Sequence, residues 1–436
     1  MKKILFLLLC CPALSFAQQG GGSPAGPSGT GVNFREPDNW GQLLDQAKKE
    51  GKLLFVDLEG AESELSQQMD KDVFSNPTVG RNINRKFISI RLSVVLPSEG
   101  SVNKENLKKI ASDLKQRYKT GEALTYLFFS PEGKLLHKAR GFKGVNAFIR
   151  EAANAANPSR QYYTLLEKYR DGPKQYLAMP YLANAALKVN DTYWAKKIAD
   201  DFINNYLMKL PKEELFTYHN IEFISGFVHS GEKAFNLFYR DSARVDELLG
   251  KGTSRGVVDF VITNEDVDPK LWKDLNPATP VCSNPDWQKL TQNITDKYGR
   301  SFAERVIADV KPRWYASQKN WPEYCNAIVE RVEKYGPFGL VNDRNWQFNS
   351  NAWDIFLYGT QKPVLLKALE WSGYVIGQEP QNAGYLDTYA NLLYKLSRIT
   401  EAIAFEQKAV ALDPSATDIR DCLEKMKRRE PTWPVE

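Results

Sequence analysis

Between residues 34 and 157, continuous apolar runs alternate with segments whose apolar positions recur at helical spacing. Continuous runs of this length are typical of strands buried on both faces of a sheet. The predicted strands are 53–58, 87–92, 124–129 and 135–139. The predicted helices are 40–50, 62–74, 104–118 and 145–156, and Pro77 is expected in the turn after the second of them. Their order, α-β-α-β-α-β-β-α, predicts an α/β domain with a mixed central sheet and helices on both faces.

After residue 158 the strand pattern disappears and only helical spacing remains. The joints are short, so consecutive helices are expected to pack as antiparallel pairs. The predicted helices are 162–169, 176–189, 193–206, 216–226, 232–239, 287–298, 302–309 and 321–335. Residues 158–345 are therefore predicted to form a helical domain or a row of degenerate repeats.

A repeat is visible near the C-terminus. Pro380 and Pro414 lie 34 residues apart, with Ala402 and Ala409 between them. This pattern resembles tetratricopeptide repeats, which implies paired helices over 346–425 and a tail at 426–436. Stacked pairs form a concave face that binds segments of other proteins.

Aromatic residues of this repeat segment have two interpretations. Most are expected to pack between helices, and one or two exposed rings could anchor a partner. The candidates for partner binding are Trp353, Trp371, Tyr389 and Tyr394, and Trp346 and Tyr374 belong to the same aromatic set.

Several blocks of residues 34–157 occur in a familiar order. Val56-Asp57, Met69-Asp70, Val73-Phe74 and Val79 are followed by GEALTYLFF at 121–129 and by PEGK at 131–134. These blocks resemble the exported thioredoxin-like proteins related to the C-terminal domain of disulfide interchange proteins. The resemblance implies a thioredoxin fold with a Cys-x-x-Cys redox site.

The chain departs from that family at the redox site itself. The register places Ser63 and Ser66 at the two cysteine positions, Glu62 at the preceding tryptophan, and Leu124 at the proline that is cis in the family. Serine can neither attack a disulfide as a thiolate nor resolve a mixed disulfide, so the domain is predicted to be redox-inactive. A cis bond before Leu124 would cost about 3 kcal/mol, so we expect a trans bond there.

Two enzymatic alternatives stay open. Ser63 could act as a hydrolytic nucleophile, but His137 is expected to be a half-exposed strand residue, and we expect Ser63 to line or cap the helix start. A thiol-disulfide oxidoreductase or isomerase could instead use Cys282 or Cys325, which could also pair as a disulfide. The alternative for these cysteines and Cys422 is that they are small buried side chains.

The N-terminus predicts export. Residues 1–17 read as a signal peptide with a basic start, a short apolar run and small residues before the expected cleavage site after Ala17. A lipid anchor at Cys10 or Cys11 is the alternative. Residues 18–33 are predicted to be a Gly/Ser/Pro-rich tether, and no segment is long enough to form a transmembrane helix. The expected location is the periplasm, with secretion as a further alternative.

Charge and composition predict no nucleic-acid partner. The formal net charge is +5, and the basic run at 425–429 suits a solvated last helical turn. No cofactor or metal is predicted, because the acidic segment 264–268 lacks the glycine and final glutamate of a calcium loop. That segment is expected to cap a helix beginning near Pro269. The sequence thus predicts a non-catalytic exported protein that binds an unknown protein or peptide in the cell envelope.

Overall fold

A computed structural model describes residues 31–36, 39–59, 64–93, 102–120, 124–339 and 343–434. The chain divides into two compact units between Phe227 and Val228. The predicted divisions were at 157/158 and 345/346, so the first unit contains the α/β domain together with the helices that follow it.

The first unit is built around a five-stranded mixed sheet. Its strands are β1 (Phe34–Arg35), β2 (Leu53–Glu59), β3 (Phe87–Ser93), β4 (Thr125–Phe129) and β5 (Leu135–Arg140). The spatial order is β1-β3-β2-β4-β5, with β3 parallel to β1 and β2, and β4 antiparallel to β2 and β5. The predicted mixed sheet is confirmed, and the two-residue edge strand β1 is an addition to it.

Five helices accompany the sheet. They are α1 (Trp40–Glu50), α2 (Glu64–Met69), α3 (Pro77–Lys86), α4 (Val102–Arg117) and α5 (Val145–Ala155). A π-helical turn continues α2 through Asp70–Phe74. Pro77 was predicted to lie in a turn, so helix α3 was not predicted. Proline fits the first helical position, and the Asn76 side chain accepts hydrogen bonds from the N–H groups of Thr78 and Val79.

The sheet is buried on both faces by two separate apolar clusters. On β2, Leu54, Val56 and Leu58 point into a cluster with residues of α1 and α4. Phe55 points the other way, into a cluster with residues of α2, α3 and α5. This alternation explains why the strand sequences are continuously apolar.

The first described residues lie within the predicted tether. The N–H of Val32 donates to the carbonyl of Phe74 at 2.7 Å, and Asn84 Nδ2 donates to the carbonyl of Gly31 at 3.0 Å. A Cβ at position 31 would lie 2.0 Å from the Phe74 oxygen, so only glycine fits there. Residues 31–33 are therefore packed against the domain and do not belong to a tether.

Helices α6 to α10 complete the first unit. They are α6 (Tyr162–Asp171), α7 (Met179–Lys188), α8 (Thr192–Asn205), α9 (Lys212–Leu215) and α10 (Tyr218–Ser225). Between α5 and α6, Gln161 Nε2 donates a hydrogen bond to the Ala155 carbonyl at 2.8 Å. Aromatic contacts add to it, since the rings of Tyr118 and Tyr163 lie 6.3 Å apart.

The described part of the second unit, residues 228–339 and 343–434, is mostly helical. Its helices are α11 (Phe235–Tyr239), α12 (Ser242–Leu249), α13 (Thr253–Ile262), α14 (Asp268–Leu271), α15 (Trp287–Tyr298), α16 (Arg300–Ser317), α17 (Trp321–Tyr335), α18 (Arg344–Tyr358), α19 (Lys362–Gln378), α20 (Ala383–Lys395), α21 (Ile399–Leu412) and α22 (Thr417–Arg428). The bounds of α15 and α17 equal the predicted ones. Helices α12 and α13 were missed because Gly250 and Gly252, both at positive φ, interrupt the helical pattern between them.

The last helices form successive pairs, α18 with α19 and α20 with α21. Ala368, Ala390, Ala402 and Ala409 are all fully buried, as expected of small residues that let paired helices approach closely. The fold class is thus an α/β thioredoxin-like domain followed by a mostly helical region. No described helix is both long and apolar enough to cross a membrane.

An arginine links two strands and the segment after α2. Arg91 on β3 donates from Nε to Oδ2 of the buried Asp57 on β2 at 3.1 Å. Its terminal nitrogens bind both carboxylate oxygens of Asp70, and its guanidinium lies 4.4 Å from the centroid of the Phe34 ring. Arg91 therefore neutralises a buried carboxylate and holds the first turn after α2 against the sheet.

Replacing Arg91 tests this link. Arg91→Met leaves the Asp57 carboxylate buried without its cation, so we expect a loss of about 2–3 kcal/mol in the stability of the sheet. Arg35→Met is the matched control, because the Arg35–Glu50 pair is partly exposed and is worth less than about 1 kcal/mol. Native-state amide exchange of β2 and β3 measures both losses, and equal losses would contradict the assigned role.

Candidate functional site

Positions that correspond to the redox site of the resembled family lie at the end of β2 and along α2. Glu62 and Ser63 fall outside the described residues, so the expected capping role of Ser63 stays a prediction. Ser66 lies in α2 and is half-buried. Leu124 is buried and packs in the same apolar cluster as Met69 of α2. The structure therefore brings Leu124 and α2 to one side of the sheet.

Leu124 has become part of the core. Its side chain joins Val73, Phe74 and Tyr126 in the cluster under α2, and its carbonyl accepts the N–H of Gly141 at 2.9 Å. The described peptide bonds are all trans. The bond before Leu124 begins at Ala123, outside the described residues, so the expected trans geometry there stays a prediction.

The family-like residues that remain are packing residues. Met69, Val73, Phe74 and Val79 are all buried in the cluster beside Phe55. Asp57 and Asp70 share Arg91. No role was predicted for Asp57 or Asp70, and Arg91 was not identified. The sequence signal for the Asp57–Arg91 pair is one acidic and one basic residue within the apolar runs of two predicted strands.

The thiols lie outside the α/β domain. All three described cysteines, Cys282, Cys325 and Cys422, are free, so the suggested Cys282–Cys325 disulfide is not formed. Cys325 is buried in the core of α17 to α20, and burial raises the pKa of its thiol to about 12. Cys282 is half-exposed in the loop before α15. Cys325 thus has the character of an inert core side chain, because reactive cysteines need a lowered pKa and access to solvent.

His137 differs from its expected position. It was expected to be half-exposed, but it is buried because the start of α6 covers β5. Its Nδ1 accepts the N–H of Tyr162 at 3.1 Å, and its Nε2 lies 3.2 Å from a carboxylate oxygen of Glu151. Both ring nitrogens are therefore engaged in structural contacts, which leaves His137 unsuited to act as a base for Ser63.

The acidic segment 264–268 is helical and ion-paired. It runs through a π-helical turn into α14, whose observed start at Asp268 is close to the expected one. Glu265 contacts His229 and Ser230, Asp266 pairs with Lys297, and Asp268 pairs with Arg313. The carboxylates hold neighbouring helices together and do not form the expected cap.

Of the four aromatic residues predicted as partner-binding candidates, Trp371 and Tyr394 are buried, and Trp353 and Tyr389 are half-buried, so the latter two stay predictions. Trp371 is 4% exposed and donates from Nε1 to Glu333 at 3.0 Å, and Tyr394 is 7% exposed and donates its hydroxyl to the Glu430 carbonyl at 3.0 Å. Trp353 packs on Phe356, and Tyr389 packs edge-on against Phe405. Burial leaves Trp371 and Tyr394 too little surface to anchor a partner.

Other apolar side chains of α18 and α19 are exposed instead. Trp346 is 38% exposed, Leu366 46% and Tyr374 48%. Leu366 and Tyr374 lie two helical turns apart on one stripe of α19, and Tyr374 rests edge-on against Phe348 of α18 at 5.5 Å. We name Phe348, Leu366 and Tyr374 the α18–α19 aromatic patch; Trp346, two residues before Phe348 on α18, points to a different side of that helix.

Comparison with known proteins agrees with the α/β domain. A family model described as thioredoxin-like matches residues 38–131. A solved structure titled "DsbH Oxidoreductase" is 15% identical, with a TM-score of 0.25, over 31% of this chain and 94% of its own. Another, "Structure of Naa15/Naa10 bound to HypK-THB", is 13% identical, with a TM-score of 0.22, over 64% of this chain and 50% of its own. At these TM-scores neither similarity bears on function. No curated protein matches the chain.

The three thiols should differ sharply in reactivity. We expect iodoacetamide to modify Cys282 first and Cys325 last in the folded chain, because burial raises the thiol pKa of Cys325 and Cys422 alike and Cys325 is the more deeply buried of the two. Peptide mass spectrometry over a time course measures the order, with a urea-unfolded sample as the control in which the rates converge. Rapid labelling of Cys325 would restore the oxidoreductase alternative.

Proposed function

We propose that this chain is a non-catalytic, exported interaction protein with a redox-inactive thioredoxin-like domain and a helical protein-binding region. One observation carries the proposal: the sequence contains no cysteine between Cys11 and Cys282. Every thiol is therefore missing from the domain whose relatives use two of them. Disulfide exchange needs an attacking thiolate and a resolving thiol, and this domain has neither.

The packing of the domain supports this conclusion. Four of the residues matched to the family, Met69, Val73, Phe74 and Val79, are buried in the core, so packing explains them. Ser66 stands at a cysteine position and Leu124 at the proline position, and the buried Leu124 extends the apolar cluster next to α2. A domain that has kept its core and lost its reactive groups is suited to holding a partner or a neighbouring domain.

The rival function, a thiol-disulfide oxidoreductase or isomerase, would depend on Cys282 or Cys325. Cys325 is buried and its thiol pKa is raised, which opposes reactivity. Cys282 is half-exposed but is a single free thiol, so it has no resolving partner among the described cysteines. The rival is therefore the weaker candidate.

The α18–α19 aromatic patch is our candidate for the partner-binding surface. Tyr374 is an exposed ring supported by Phe348 of the paired helix, and such rings carry much of the energy at protein interfaces. The tetratricopeptide-like pattern of the adjoining helices supports a protein or peptide ligand. The signal-like N-terminus supports export, and we propose the bacterial periplasm as the location.

A disulfide-reductase assay tests the absence of redox chemistry. The mature chain is expected to reduce insulin no faster than its Cys282→Ala/Cys325→Ala/Cys422→Ala variant. The double variant Ser63→Cys/Ser66→Cys is expected to gain turnover, because it restores a nucleophile and a resolving thiol. The matched control, Ser63→Cys alone, should form a mixed disulfide without turnover. Wild-type turnover close to that of an ordinary thioredoxin, lost with any of the three cysteines, would refute the proposal.

Affinity capture tests the binding surface. The tagged mature chain is expected to retain a specific partner from envelope extract, and Leu366→Ser/Tyr374→Ser should weaken that complex by roughly tenfold or more, because a tyrosine at the centre of an interface can contribute about 2 kcal/mol. Tyr193→Ser removes a more exposed ring from α8 and serves as the control. Unchanged affinity in the double variant would rule out this patch.

A further inference from the structure

Three potential metal-binding side chains converge where the last three helices meet. Asp387 comes from α20, Glu406 from α21 and Cys422 from α22. One carboxylate oxygen of each acid and the sulfur of Cys422 all lie within 4.8 Å of one another. In a tetrahedral zinc site with bonds of about 2.0–2.3 Å, ligand atoms lie about 3.3–3.8 Å apart, so small side-chain rotations would close this cluster around an ion.

Burial separates this cluster from an ordinary acidic surface patch. Glu406 is 0% exposed, and none of the described N–H or O–H groups donates to its carboxylate oxygens. Its hydrogen-bonding neighbour is the Asp387 carboxyl, and two acidic groups can share a site only with a proton or a cation between their oxygens. This buried pair is a second observation, separate from the clustering, that favours a positive charge at this position.

Asn391 is a second fully buried polar residue next to the cluster. It is also 0% exposed, and its Nδ2 donates to Asp387 Oδ1 at 2.8 Å, which fixes the orientation of that carboxylate. Its Oδ1 lacks a hydrogen-bond partner among the described residues. Asn391 therefore acts as a positioning residue for Asp387 and places a further buried oxygen beside the cluster.

The local charge is negative. The exposed Asp418 of α22 adds to the field of Asp387 and Glu406, and Lys425 is a nearby cation that acts on Cys422. The two carboxyl groups and the sulfur therefore face one another with little positive charge beside them, which favours a bound cation.

We propose that Asp387, Glu406 and Cys422 bind one Zn²⁺ ion that joins α20, α21 and α22. The donor chemistry favours this ion. A thiolate ligand suits zinc and other borderline or soft metals, whereas Ca²⁺ and Mg²⁺ take six or more oxygen ligands. Three helices supply the ligands, so the ion would act as a structural clamp at the end of the helical region.

Metal titration of the mature full-length chain tests the clamp. Metal-stripped protein is expected to take up one equivalent of Zn²⁺ with a rise in Tm and slower amide exchange in 383–428. Co²⁺ should give a thiolate-to-metal absorption band that disappears in Cys422→Ser. Glu406→Gln and Cys422→Ser should each weaken Zn²⁺ binding by more than the 10–100-fold typical of changes outside the ligand set.

Matched controls separate this site from incidental binding. Glu401→Gln changes an exposed carboxylate on the same helix, and Cys282→Ser removes a thiol elsewhere, so both should bind Zn²⁺ like the wild type. If wild-type protein gains no stability from Zn²⁺ while Glu406→Gln is more stable than wild type in metal-free buffer, the two carboxyls share a proton and the proposal is overturned. Zn²⁺ binding that survives in both ligand variants would overturn it as well.

Discussion

The structure of the first unit depends on the burial of one sheet on both of its faces. Strand β2 places Leu54 and Val56 on one side and Phe55 on the other, so each face needs its own cover of helices. Helices α1 and α4 close one face, and α2, α3 and α5 close the other. Because this burial involves no cysteine, the domain can keep its fold after losing a redox site, since hydrophobic contacts supply most of the stability.

The positions compared with the family fall into two groups, buried packing residues and residues at the redox site. Met69 and Phe74 match the family and are buried, so they report a shared core. Ser66 and Leu124 stand at the positions where the resemblance places a cysteine and a proline, and the proposed loss of redox function rests on such positions. The family model that matches residues 38–131 is evidence for the fold. Fold similarity therefore identifies the scaffold, and function has to be argued from the positions that differ.

Much of the fold could be predicted because the spacing of apolar residues along the chain reflects which positions are buried. The continuous apolar runs gave β2 to β5, and helical spacing gave α15 and α17 within their observed bounds. The failures also have physical causes. Pro77 was taken as a turn residue although it begins α3, and β1 is too short to show a pattern. The exposure of Trp346 and the burial of Trp371 depend on tertiary packing, which spacing along one helix does not encode.

Two buried carboxylates, Asp57 and Glu406, have opposite surroundings, and this contrast bears on the proposed metal site. In the first unit, the charge of the buried Asp57 is matched by Arg91 from the adjacent strand, so the pair is explained by the fold itself. In the second unit, Glu406 lies beside Asp387 and Cys422, and every member of that cluster is an acid. Their positions on α20, α21 and α22 form no short motif, so the sequence could not reveal them. Helix packing that gathers like charges inside a protein raises its free energy unless protons or a cation compensate. We therefore favour a Zn²⁺ ion bound by these three side chains as the compensating positive charge.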